Sequence, residues 1–196
     1  MPNRPHKLLA LAMLLTALAF AGWPSTQPAT APAPEPRPQE ASAAREAPEG
    51  VWAMDALGFR MRIPEGWTRI ERGSRHYLQR DPCSALSGNF SAIWLPNFFG
   101  MTLDGLLEEN RAELGANPDL DLDSIEITRA AGRDALRVAY HGRPHGTVED
   151  VRFLGIVYLD RGRQIVLTAC ARESDWPAIE TAVEASLASL ERAPDR

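Results

Sequence analysis

Lysine is almost absent from this 196-residue chain: Lys7 is the single one, beside twenty arginines. So general a bias reads as genomic base composition rather than phosphate recognition, and no run of like charge accompanies the net charge of −5. Neither nucleic acid nor an anionic membrane surface is therefore an expected partner. Cysteine is nearly absent too. Cys83 and Cys170 stand alone, without a CxxC pair, so redox exchange has no motif. Glycine-rich phosphate loops and a GxSxG nucleophile elbow are missing. Ser74 and His76, in GSRH (73–76), have no orienting acid in an identifiable context. Asp119, Asp121 and Asp123 are spaced like a calcium loop, but Ser124 replaces the required glycine and Ala130 the required glutamate. Alternating Leu and Asp reads instead as an exposed edge strand. His141 and His145, with Glu149 and Asp150 nearby, have a zinc spacing only if helical, and Gly142 and Pro144 preclude a helix. No catalytic residue, metal or cofactor is expected.

What is present begins with an N-terminal targeting pattern. Arg4, His6 and Lys7 precede an apolar run from Leu8 to Ala21, broken only by Thr16, and Ala19-Phe20-Ala21 supplies small residues for signal peptidase. Residues 1–21 are expected to be a signal peptide, with Ala17-Leu18-Ala19 as a second cleavage choice. The alternative is an uncleaved anchor, the one way this chain would meet a membrane. A span needs ~20 apolar residues, and Trp23-Pro24 ends the run early. No cysteine follows, which argues against a lipoprotein. Residues 22–49 interleave prolines with Ala, Ser, Thr and Glu and offer almost nothing to bury, so a disordered, semi-stiff linker is expected. Residues 50–192 are expected to form one domain in the periplasm or outside the cell.

The core of that domain is expected at 151–171. Val151–Leu159 and Ile165–Ala171 are β-rich runs without a polar face, separated by Asp160-Arg161-Gly162, which reads as a hairpin central to a sheet. Phe59, Met61 and Ile63 alternate with Arg60 and Arg62, as in a half-solvated strand. Further strands are expected near 51–54, 67–70, 76–79, 89–95, 120–128 and 133–140. A helix is expected over 102–114, with Thr102 as N-cap, Met101 stapled over Leu106, and Gly115 at the positive-φ C′ position. A closing helix would start at Ser174 or Asp175, with Pro177 in its first turn and Trp176, Ile179, Val183, Leu187 and Leu190 as its apolar stripe. The expected class is α+β: a single antiparallel sheet flanked by helices.

GFRMRIPEGW (58–67) resembles the opening strand of PsbP-like and DcrB-like exported domains, where a short apolar strand runs into a Pro and then a Trp. TLDGLLEENRAEL (102–114) resembles their helix, and the hairpin at 151–171 with its closing helix resembles their ending. The resemblance covers roughly 51–192. It implies a helix-flanked antiparallel sheet and a non-enzymatic accessory or binding role, and it carries over no catalytic residues.

Two sites follow from the residues themselves. An even cysteine count in an oxidising compartment suggests a Cys83–Cys170 disulfide, whose loop would contribute ~4–5 kcal/mol in the chain-entropy model. Ile93 to Met101 places Trp94, Phe98 and Phe99 in and beside the connection between a strand and a helix. They would serve either as core or as an aromatic surface for a protein partner in the envelope or a small apolar ligand. The class-level alternative is an envelope hydrolase whose His76 or His141 meets Ser and a carboxylate in space.

Overall fold

In a computed structural model of the protein, residues 50–72, 75–81, 84–97, 100–144 and 148–193 are described. The expected signal peptide and linker, together with Cys83, Phe98, Phe99 and His145, lie outside them. The elements in order are β1 (Val51–Met54), a 3-10 turn (Asp55–Leu57), β2 (Phe59–Arg62), β3 (Thr68–Arg72), β4 (Arg75–Asp81) and β5 (Ser84–Pro96). Then come α1 (Leu103–Gly115), β6 (Leu120–Ala130), β7 (Arg133–Gly142), β8 (Val151–Asp160) and β9 (Arg163–Arg172). A 3-10 turn (Trp176–Ala178), α2 (Glu180–Ala188) and β10 (Glu191–Arg192) close the chain.

The β8–β9 hairpin forms where its apolar runs predict. Arg161 and Gly162 both take positive φ, 48° and 75°, the primed turn geometry that suits the twist of two paired strands. β9 is the middle strand of a seven-stranded antiparallel sheet ordered β3-β4-β5-β9-β8-β7-β6, so both faces of the hairpin are covered. β6, the Leu/Asp strand, is an edge.

The expectation of a single sheet is corrected. β2 pairs with β1 on one side and β10 on the other in a separate three-stranded sheet, ordered β1-β2-β10. Trp52, Met54, Phe59 and Met61 form its buried side. That side lies on the face of the large sheet, with the Phe59 ring stacked on Tyr158 at 5.0 Å between centroids. Period-two alternation shows that a strand has one covered face, but not whether it joins an edge or lies across a face.

Each face of the large sheet has its own apolar cluster. The small sheet and the apolar stripe of α2 (Val183, Leu187) join Phe90, Leu154, Ile156, Ile165 and Leu167 on one side. α1 joins Leu136, Val138, Tyr140, Phe153 and Val166 on the other. Thr102 caps α1, its Oγ1 accepting from Gly105 N–H at 3.1 Å, and Met101 and Leu106 share the second cluster. Gly115 departs from expectation: it remains helical, and Ala116 ends the helix in a right-handed conformation, so no positive φ is needed there. The closing helix also begins differently. Asp175 precedes the 3-10 turn without capping it, and its carboxylate lies 3.5 Å from Arg172 instead. No helix among the described residues is long and apolar enough to cross a membrane.

Candidate functional site

Along β5, successive side chains alternate between the two faces of the large sheet. Ile93 and Leu95 turn toward the α1 cluster, while Phe90 and Ala92 turn toward the small sheet. Trp94 follows Phe90 and Ala92 in register, yet it is 50% exposed. Its cross-strand partner on β9, Ile165, is fully buried, so one side of Trp94 is backed by core. The described β4–β5 pairing, which begins at Ser84, reaches only Ala92, and Pro96 beyond Trp94 is exposed as well. The strand thus runs past its described pairing with β4 and presents an indole at the rim.

The connection after β5 is braced from both ends. Asn97 N–H donates to the Gly162 carbonyl at 2.8 Å, fixing the loop to the β8–β9 turn. The Asn97 side chain then closes on Met101: its Oδ1 accepts from Met101 N–H at 2.9 Å and its Nδ2 donates to the Met101 carbonyl at 3.0 Å. Gly100 takes φ 60° to complete the turn. Phe98 and Phe99 fall between these anchors but outside the described residues. Of the three expected surface residues, Trp94 is the one whose position is established.

The expected disulfide has one partner, Cys83, outside the described residues. Cys170 itself is a free, buried thiol whose Sγ receives a hydrogen bond from Asn89 Nδ2 at 2.9 Å. Burial pushes this thiol up to about 12, and the Asn89 hydrogen bond offsets only part of that. Such a thiol is held protonated and inert at neutral pH.

Around Cys170 lies a feature the sequence reading missed. Gln79, Asn89 and Cys170 align across β4, β5 and β9, and Ser91 and Thr168 align one step further along the same face. All five are buried, and Gln79 Oε1 and Thr168 Oγ1 have no hydrogen-bond partner among the described residues. The signal in the sequence is Asn-Phe-Ser-Ala (89–92), a strand with one polar face, which alone reads as solvated rather than buried.

His141 sits on β7 with Asp123 Oδ1 2.9 Å from its Nδ1 and Asp121 Oδ2 3.9 Å from its Nε2. Its cross-strand neighbours are Asp121 and Arg152, so among the described residues the imidazole lies beside charged groups. Nearby, Arg152 pairs with Glu173 and Arg172 with Glu149, and the end of the sheet is closed by opposed charges. Among the described residues, no group of three His, Cys, Asp or Glu side chains is placed to hold a metal. A shallow cavity of about 180 Å³ is lined by Val51, Met61, Arg62, Ser189 and Glu191. Drug-sized ligands occupy roughly 300–1,000 Å³, so this one is too small for them.

No family and no curated protein matches the chain by sequence. Solved structures do match. LpqN of Mycobacterium tuberculosis, described as involved in cell envelope biogenesis, is 16% identical, with 69% of this chain and 83% of LpqN covered and a TM-score of 0.51. Cyanobacterial PsbP (CyanoP) of Synechocystis sp. PCC 6803 is 16% identical, with 72% of this chain and 91% of CyanoP covered and a TM-score of 0.51. At such identity the likeness concerns architecture alone: the described domain has the PsbP-like fold.

Proposed function

We propose that this is an exported, non-enzymatic binding protein of the cell envelope that captures a protein partner through the surface around Trp94. The observation that carries the reading is the half-exposed Trp94, in register with the buried Phe90 and Ala92 and paired across strands with the buried Ile165. Trp on a rigid element loses little conformational freedom on contact, which is why it recurs among the residues that dominate interfaces. The Asn97 brace holds the adjoining loop, and Phe98 and Phe99 on that loop would widen the contact. A protein partner is favoured over a small apolar ligand because a half-exposed indole at the end of a braced strand offers a contact face rather than an enclosed pocket. Export rests on the pattern of residues 1–21, and LpqN's involvement in cell envelope biogenesis agrees with it.

The test is comparative capture from the native envelope by the wild-type chain and by Trp94→Ser. The variant should fold with an unchanged melting temperature and bind at least roughly 30-fold more weakly, as expected for loss of ~2 kcal/mol at an interface centre. Equal capture by both proteins would refute the reading. Mass spectrometry of the natively expressed protein should place its N-terminus near Gly22; intact Met1 in the membrane fraction would establish an anchor instead.

A further inference from the structure

Trp94, Ile165 and Tyr158 are neighbours across β5, β9 and β8 on one face of the large sheet, at about 4.8 Å per strand. Phe59 stacks on Tyr158, and Met54 pairs with Phe59, so β1 belongs to the layer above this row. The path from Val51 along β1, down through the Phe59–Tyr158 stack and across to Trp94 is no longer than about 35 Å, taking ~3.3 Å per residue and ~10 Å between layers. The straight distance is shorter.

Residues 31–38 read Ala-Pro-Ala-Pro-Glu-Pro-Arg-Pro, with proline at every second position. Such spacing favours polyproline II, which turns once in three residues. Prolines two apart then place a ring on every side of that helix, so an indole meets one however the segment lies. Aromatic faces are the surfaces on which polyproline segments dock. Residues 39–50 join this stretch to β1. A tether of twelve residues reaches about 37 Å at ~3.1 Å per residue, and its r.m.s. span is about 20 Å. It is long enough to reach Trp94 and short enough to keep the segment at a millimolar effective concentration.

We propose that residues 31–38 dock on Trp94 of the same chain and compete there with the partner. The surface is then self-covered until the segment is displaced or removed. This rests on the reading of Trp94 as the contact surface and adds its regulation. Docking with a Kd of about 1 mM, negligible between separate molecules, leaves the site about half occupied within one chain.

The experiment is ¹⁹F NMR of the full chain labelled with 5-fluorotryptophan. The chain has five Trp, and the Trp94 line is identified by its loss in Trp94→Phe. Replacing Pro32, Pro34, Pro36 and Pro38 together by Ala should shift the Trp94 line and leave those of the buried Trp52, Trp67 and Trp176 in place. The same variant should capture the envelope partner about twofold better, since half of the sites are freed. A Trp94 line indifferent to the four replacements overturns the proposal. So does a line whose position depends on protein concentration, which would make a second copy the occupant. An indifferent line combined with lost capture by Trp94→Ser defeats only the docking. Normal capture by Trp94→Ser defeats the contact surface itself.

Discussion

Phe90, Ala92, Ile165, Leu167 and Ala169 point to one face of the large sheet, while Asn89, Ser91, Thr168 and Cys170, on the same two strands, point to the other. The first face packs a continuous apolar cluster against the small sheet and α2, with Phe90 5.7 Å from the Trp67 ring, and buries the Trp52 and Tyr158 polar atoms within it. The second buries amide and hydroxyl groups to the same depth beside its own apolar cluster, and Gln79 Oε1 and Thr168 Oγ1 have no partner among the described residues. An unpaired polar atom in such a place costs ~1–3 kcal/mol, whereas each buried apolar side chain contributes ~1.5–3 kcal/mol. Along β5 and β9, therefore, the face toward the small sheet is the larger source of stability.

Four substitutions or titrations would break or sharpen that contrast. Phe90→Ala on the apolar face should cost about 3–5 kcal/mol in denaturant unfolding; a loss below ~1 kcal/mol would mean that this face is not the larger source of stability. The next effect is alkaline. The unfolded Cys170 thiol ionises near its ordinary 9.0, and the folded one at about 12 because it is buried. The unfolded state gives up its proton first, so stability should decline as pH rises from about 9 toward 12. Burial also pushes the Tyr140 and Tyr158 hydroxyls up. The measurement is therefore the difference between wild type and Cys170→Ala, whose decline should be shallower. In the native state Cys170 should also resist thiol reagents at pH 8 and react only after unfolding.

A smaller effect is acidic. The Arg133 guanidinium, 2.6 Å away, holds the Asp160 carboxyl below its ordinary 3.8. That contribution is complete above the ordinary value and is lost as pH falls below it. Asp160→Asn should remove this acid sensitivity and cost only about 1 kcal/mol at pH 7, because the Arg133 side chain is 37% exposed and solvent screens the pair. The smallest expected change is Thr168→Val. It removes a buried hydroxyl without a partner among the described residues and should alter stability by less than ~1 kcal/mol, toward greater stability. A large loss would show that Oγ1 has a partner the folded chain alone does not reveal.

The parts of the fold that were legible are those decided locally. The β8–β9 hairpin follows from two apolar runs around Arg161-Gly162, and α1 from its Thr102 cap and Leu106/Leu114 stripe. The small sheet was not legible as a separate layer, because Phe59 and Met61 would alternate in the same way along an edge. β10 is only Glu191–Arg192 and exists through its pairing with Arg60 and Phe59, aided by an Arg60–Glu191 ion pair at 2.7 Å. Gly115 was misplaced because a glycine after a helical stripe fits an extra helical residue as well as a left-handed cap. At the candidate site, Trp94 continues the period of Phe90 and Ala92, so periodicity alone assigns it to the core. Its exposure depends on how far the described β4 pairing reaches, and that is a property of the assembled fold.

Site-specific photo-crosslinking tests the central claim most directly. A benzoylphenylalanine at position 94 is compared with one at position 148, where Val148 is 88% exposed and hence more accessible than Trp94. After irradiation in the native envelope, position 94 should give a discrete heavier adduct and position 148 none. Equal adducts from both positions, or an adduct from 148 alone, would contradict a binding surface centred on Trp94.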